Sequence, residues 1–288
     1  MSDLRIGCRT TARKEQTASR SAFGRKCRAI VVLAAAGSVA QAQVQDTIHK
    51  ASPLLVGKDA LLLGAFTLGT ALVAPIDRQV ATRLQDPATQ ENQLLHATAT
   101  GFRLLGHPGA AIAGAGLYLI GRGNGQLRVQ ALGLHSVESI VLADILGVGI
   151  KTLAGRQRPY LDINNPYSFQ LLRGFADDRY RSFPSGHTIT AFAFASTVAR
   201  ETQFWWPHSG FYVGTIMYGG AALVGLSRMY NNQHWASDVM GGAAIGTLIG
   251  LKVVKYTHSH PGNSIDRRLL KAKMSQAPVT PILFSVQF

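Results

Sequence analysis

Three short blocks of the 288-residue sequence place reactive and cationic side chains at the ends of apolar runs. Lys151 and Arg158-Pro159 form the first, Pro184-Ser185-Gly186-His187 the second, and Ser227-Arg228 with His234 and Asp238 the third. His234 and Asp238, four apart, share one face of a helix. A carboxylate there can accept a hydrogen bond from imidazole Nδ1–H, leaving Nε2 free to attack. Ser185 has the chemistry of a helix N-cap, and Gly186 lets backbone come close to a ligand. That block therefore offers an anion free N–H groups and a positive helix end, with His187 at the rim. Lys151 and Arg158 are seven apart, two helical turns, so the spacing predicts a shared face near the helix end that Pro159 enforces. Arg forks around two phosphate oxygens, Lys supplies a compact charge, and Arg228 adds a third cation. These are the parts that phosphoryl transfer requires: a nucleophile, an orienting group, a proton carrier and cations on the phosphoryl oxygens.

Each block alone has an ordinary alternative. Lys151 to Arg158 could be a basic loop or a snorkelling membrane edge. Residues 184–187 could be a plain capped helix, and His234 with Asp238 a surface pair.

Together the blocks resemble the signature of the type 2 phosphatidic acid phosphatase and vanadium haloperoxidase superfamily: Lys-x6-Arg-Pro, Pro-Ser-Gly-His and Ser-Arg-x5-His-x3-Asp. All eleven specified positions match in order and spacing, and the resemblance covers roughly residues 130–256. It implies that His234 is a nucleophile forming a phosphohistidine, that Asp238 orients it, and that His187 protonates the leaving oxygen and then activates water. Lys151, Arg158, Arg228, Ser185 and the Gly186 N–H would hold the phosphoryl oxygens. The implied activity is hydrolysis of phosphate monoesters or diphosphates, with lipid phosphates foremost and small esters also open. Three cations repel a divalent metal and the blocks offer one carboxylate, so neither metal nor other cofactor is expected. Two alternatives use the same pocket: a haloperoxidase holding vanadate as a phosphate mimic, and a non-catalytic envelope protein binding phospholipid through these cations.

The elements that must position these residues read as helices. Apolar stretches lie at about 54–76, 103–121, 129–154, 187–201, 211–228 and 238–256, and strand signals are scarce, so the expected fold is an all-α bundle of about six apolar helices. Hydrophobic residues make up 47% and charged residues 15%, with a mean hydropathy of +0.11. Several runs hold only about 12–17 uninterrupted apolar residues, short of the roughly 20 that cross a bilayer, so a transmembrane and a soluble bundle both stay open. Lys58 and Asp59 interrupt the first run, and His135, Glu138 and Asp144 the third. Residues 77–100 are polar, and Tyr160 to Ser182 form a 23-residue loop with Asn-Asn-Pro turn chemistry that could cover a site.

Residues 1–42 read as an export signal or anchor. A basic leader precedes the apolar run Ala29 to Ala36, and Ala40-Gln41-Ala42 suits cleavage. Both cysteines, Cys8 and Cys27, lie in this leader. The leader holds 8 of 29 Lys+Arg and 2 of 15 Asp+Glu, which leaves +8 on the remainder. That surplus suits anionic substrates or a membrane surface. No basic stripe with interleaved aromatics appears, which argues against nucleic acid. The expected organisation is a leader (1–42), a helical catalytic domain (43–256) and a polar tail (257–288) whose His258 and His260 face solvent. The expected location is the bacterial cell envelope, in the inner membrane or periplasm, with the site extracytoplasmic.

Overall fold

The computed structural model describes residues 57–270. The leader, both cysteines and the end of the tail lie outside the described residues. In chain order the helices are α1 (Gly57–Val73), α2 (Asp77–Leu84), α3 (Pro87–Gln90), α4 (Gln93–Leu104), α5 (Ala110–Gly123), α6 (Leu127–Ala154), α7 (Gly186–Trp205), α8 (Gly210–Tyr230), α9 (Ala236–Ser259) and α10 (Ser264–Leu269). Among the described residues there is no strand, only an isolated antiparallel bridge between Arg156 and Phe169. The all-α bundle expected from the apolar periodicity is what forms.

The polar 77–100 stretch is also largely helical. Pro87 opens α3 where a missing N–H costs nothing, and the Asn92 side chain caps α4 by accepting from Leu94 N–H at 3.0 Å and Leu95 N–H at 3.1 Å. Capping chemistry builds these helices where hydropathy gives no pattern. The 160–182 loop does stay irregular, with short 3-10 turns at Arg173–Phe175 and Asp178–Tyr180.

At the centre, α7 packs against α6, α8 and α9, while α5 lies on α6, α1 on α9 and α4 on α8. Small residues permit this close packing, as in the core of Ala110, Ile140, Ala143, Ile189 and Ala193. Gly242 is decisive for the site: a Cβ there would stand 2.7 Å from the Ser185 carbonyl, so only glycine lets α9 lie against the start of α7.

Some polar groups inside the helices pair across the bundle. His135 Nδ1 meets one Glu201 oxygen at 2.5 Å and His258 Nε2 meets the other at 2.9 Å, tying α6, α7 and α9 together at the end remote from Lys151. His258 is thus part of α9, which runs on to Ser259, and not of a tail; it is exposed to solvent as expected, with its imidazole stacked on Phe204. Asp59 pairs with Lys252 across α1 and α9.

Among the described residues, four stretches are long and apolar enough to cross a membrane: Asp59–Leu84, Gln93–Gly123, Pro207–Tyr230 and Ala236–Ser259. Leu61, Leu68, Leu72, Ile112, Phe211 and Ile216 are 60–77% exposed on them. So much outward apolar surface suits hydrocarbon better than water.

Candidate active site

The C-terminal ends of α6 and α8 meet the N-terminal ends of α7 and α9 at one end of the bundle. Backbone hydrogen bonds fasten them: Ser185 N–H donates to the Asp238 carbonyl at 3.0 Å, and Ser182 N–H to the Arg156 carbonyl at 3.0 Å. Lys151 Nζ donates to the Arg181 carbonyl at 3.0 Å and lies beside Gly186, where a Cβ would be 3.8 Å away. All eight candidate residues fall at this end.

His234 sits in the short turn before α9 and is 4% exposed. Its Nδ1 is 2.8 Å from the Ser182 carbonyl oxygen. A carbonyl can only accept, so Nδ1 carries the proton and Nε2 presents its lone pair. Burial pushes the His234 pKa down to about 4, and the Lys151 and Arg158 charges add to that while Asp238 opposes it. The imidazole is neutral at neutral pH, as a nitrogen nucleophile must be.

The direct Nδ1–Asp238 hydrogen bond expected from the i, i+4 spacing is absent. Asp238 Oδ2 is 3.8 Å from His234 Nδ1, because that oxygen already accepts from Ser182 Oγ at 2.5 Å and Trp235 N–H at 2.8 Å. Asp238 therefore acts on His234 through its charge and by fixing Ser182, whose own carbonyl orients the ring.

Arg156 supplies what the spacing of the motifs does not reveal. Its side chain is 2% exposed and donates through Nη1 to Asp238 Oδ1 at 2.5 Å and to Ser237 Oγ at 2.7 Å. Through Nη2 it donates to Asp77 Oδ2 at 2.8 Å and to the Pro166 carbonyl at 2.7 Å. Asp77, in the first turn of α2, also accepts from Ser237 N–H at 2.8 Å. In sequence Arg156 looks like one more base in a basic stretch, and Asp77 is 79 residues away, so nothing local joins them.

The three cations reach the site by different routes. Lys151 lies on the last turn of α6. Arg158 is not on that helix: α6 ends at Gly155, whose left-handed φ of +58° turns the chain away, and Arg158 returns from the segment beyond. Its Nη1 donates to Gln233 Oε1 at 2.6 Å and its Nη2 to Asp178 Oδ2 at 3.1 Å, joining the 160–182 loop to the turn before His234. Arg228, on the last turn of α8, is 6% exposed, yet its Nε and Nη1 have no hydrogen-bond partner. Buried, unpaired guanidinium donors are costly unless a ligand pairs them.

Ser185 occupies the N-cap position of α7 with extended backbone but makes no side-chain cap. Its Oγ instead accepts from Thr188 Oγ1 at 2.9 Å, which leaves its own hydroxyl proton for another acceptor. The helix begins at Gly186, and its first backbone bond runs from Ile189 N–H to the Ser185 carbonyl. His187, half-buried at this rim, has Arg228, His234, His107 and Lys151 as its charged or ionisable neighbours. Among the described residues, no group of three or more His, Cys, Asp or Glu could hold a metal ion.

The stretch holding these motifs, residues 132–260, matches the sequence profile of the PAP2 superfamily. Residues 132–260 are a PAP2 superfamily domain. Every residue of the site except Asp77 and His107 falls inside it. The PAP2 domain has relatives among characterised proteins. A lipid A 1-phosphatase from Porphyromonas gingivalis is 45% identical over 89 residues, 29% of this chain and 18% of that protein. An undecaprenyl-diphosphatase from Sulfolobus acidocaldarius is 30% identical over 142 residues, 49% of this chain and 63% of that protein. The chain thus spans less than two thirds of each of these relatives. In structure, it resembles a transmembrane PAP2-type phosphatidylglycerolphosphate phosphatase from Bacillus subtilis, with a TM-score of 0.51 and 22% identity, over 70% of this chain and 96% of that one. The shared transmembrane fold and the apolar helices make this a membrane protein.

Proposed function

We propose that the PAP2 domain is a phosphatase that removes a terminal phosphate from a membrane lipid through a phosphohistidine at His234. The observation that carries this reading is the pairing of a fixed Nε2 lone pair on His234 with buried, unpartnered donors on Arg228. In the first step Nε2 forms a bond to phosphorus, the ester P–O bond breaks, and the leaving oxygen takes, through His187, the proton that the phosphate monoanion brings in. In the second, water attacks phosphorus, its proton passes to His187, and the P–N bond breaks. Lys151, Arg158 and Arg228, with Ser185 and the Gly186 N–H, hold the equatorial oxygens as their charge grows.

A lipid substrate is supported by the exposed apolar helices around the site and by the three relatives, each named for a phosphate or diphosphate on a lipid. A metal-free reaction is supported by the donor set. Three cations gather there, and the one carboxylate near His234 is already engaged by Arg156. We place the site on the extracytoplasmic face of a bacterial inner membrane. Eight Lys and Arg before Ala29, taken as a leader retained in the cytoplasm in place of an export signal or anchor, favour a cytoplasmic start, and three passes along α1, α4–α5 and the central helix α6, which packs inside the bundle, then bring Lys151 outside. An alkaline phosphatase fusion after Pro159 tests the side, and an inactive fusion would reverse it.

The activity is tested by phosphate release from phosphatidic acid, polyprenyl diphosphate and lipid A by purified protein in detergent with EDTA. Turnover of at least one is expected, abolished in His234→Ala. No turnover of any, together with stoichiometric binding, would favour a lipid-binding protein.

A further inference from the structure

A cavity of about 260 Å³ lies beside the phosphate-holding groups, between the break joining α4 to α5, the last turns of α6 and the start of α7. Its outer rim is Lys151 and His187, the group assigned to the leaving oxygen, so this is where the leaving alcohol lies. Beyond that rim Gly147, Val148 and Ile189 make most of the lining apolar, and Asp144 and Thr190 interrupt it with polar groups that a hydrocarbon tail would not pair. Asp144 stands seven residues before Lys151 on the same face of α6, about 10 Å along the axis. Thr190 Oγ1, one turn into α7 from His187, lies 3.0 Å from Asp144 Oδ1 and 3.3 Å from Oδ2. That hydroxyl has a single proton, for which the Gly186 carbonyl at 3.1 Å competes, so it satisfies at most one acceptor position of a carboxylate that has about four. Across the cavity His107 stands at the break between α4 and α5, its ring centroid 5.6 Å from that of His187.

We infer that Asp144, supported by Thr190 and facing His107, is a specificity-determining residue that accepts a hydrogen bond from a hydroxyl carried by the leaving alcohol. The inference rests on the phosphatase reading above and narrows its substrate to phosphate esters of a polyol or sugar. A second phosphate beside Asp144 would be repelled, and a bare hydrocarbon would desolvate the carboxylate without pairing it. A hydroxyl donor does neither. Asp144 touches no phosphoryl group in this arrangement, so it selects the alcohol and takes no part in the bond-making at His234.

The test compares kcat/KM for two substrates in the same detergent micelles: 1-oleoyl lysophosphatidate, which carries a free hydroxyl beside the ester, and oleyl phosphate, which carries none. The wild type should prefer the first. Asp144→Ala should lower the ratio of the two values about tenfold, the worth of a charge-assisted hydrogen bond, while oleyl phosphate turnover changes less than threefold. Asp144→Asn, which keeps size and one acceptor, should fall between. The fraction of folded enzyme cancels in the ratio, so lost stability cannot imitate the effect. A ratio unchanged within twofold in Asp144→Ala would overturn the assignment. A wild type inactive on both substrates but active on one of the three lipid phosphates above would also overturn the assignment, whereas inactivity on all five would overturn the phosphatase reading itself.

Discussion

Arg156 and Asp238 form an ion pair closed to solvent, with Nη1 2.5 Å from Oδ1 and the side chains 2% and 0% exposed. The same guanidinium holds Asp77, so one cation serves two buried carboxylates and, through Asp238, fixes Ser182 and the ring of His234. Removing one member of such a group leaves charge uncompensated in low dielectric and costs about 3–5 kcal/mol. Arg156→Met should therefore lower stability by that order in thermal unfolding. Arg156→Lys keeps the charge but loses the planar fork that reaches both carboxylates. It should lower kcat about 100-fold with KM little changed, because Arg156 does not meet the substrate. A comparable rise in KM would assign Arg156 to binding instead.

Arg228 should behave in the opposite way. Its Nε and Nη1 are buried without partners, a cost of about 1–3 kcal/mol to the free protein. Arg228→Met should unfold no lower than wild type while losing roughly 100- to 1,000-fold in kcat/KM, as when an oxyanion donor is removed. A variant that is both unstable and active would show that Arg228 is structural.

The pH profile follows from His234. With its pKa lowered to about 4, Nε2 keeps its lone pair above that value and loses it as pH falls further. The leaving oxygen needs a proton, which enters with the phosphate monoanion and is available below the second phosphate pKa of about 6. kcat/KM should be highest between these limits and decline on both sides. Asp238 raises the His234 pKa, so Asp238→Asn should move the acid limb to lower pH as well as slow the reaction. An acid limb near 6.5 in the wild type would mean that His234 is not buried in the working enzyme.

Vanadate, with the trigonal-bipyramidal geometry of the transition state, should compete with substrate for Lys151, Arg158 and Arg228. Inhibition should be competitive in the wild type and weakened at least tenfold in Arg228→Met. EDTA should leave turnover unchanged, and activity restored only by added Mg²⁺ would contradict the metal-free arrangement.

Much of this site is legible in the sequence because its parts are local. Ser185, Gly186 and His187 lie at the start of one helix, and His234 and Asp238 about one turn apart, so spacing alone brings them together. Helix periodicity also places α6 to α9, since their apolar runs are long. What spacing cannot show is a partner brought by tertiary packing. Asp77 belongs to a polar segment far from the motifs, and Arg156 differs from its basic neighbours only by being enclosed. Arg158 misleads for a related reason: two helical turns from Lys151 is the right count, but Gly155 ends the helix between them. The His234–Asp238 spacing likewise gives proximity without the hydrogen bond, because the Ser182 carbonyl occupies the place of the acceptor.

The most direct measurement is acid-quench-free trapping of the enzyme during turnover of ³²P-labelled lipid phosphate, followed by alkaline denaturation, under which phosphohistidine survives, and peptide mapping. The wild type should carry label on His234, with more retained in His187→Ala, where hydrolysis of the intermediate slows. His234→Ala should carry none. Label on another residue, or full turnover by His234→Ala, would contradict the assignment of His234 as the nucleophile.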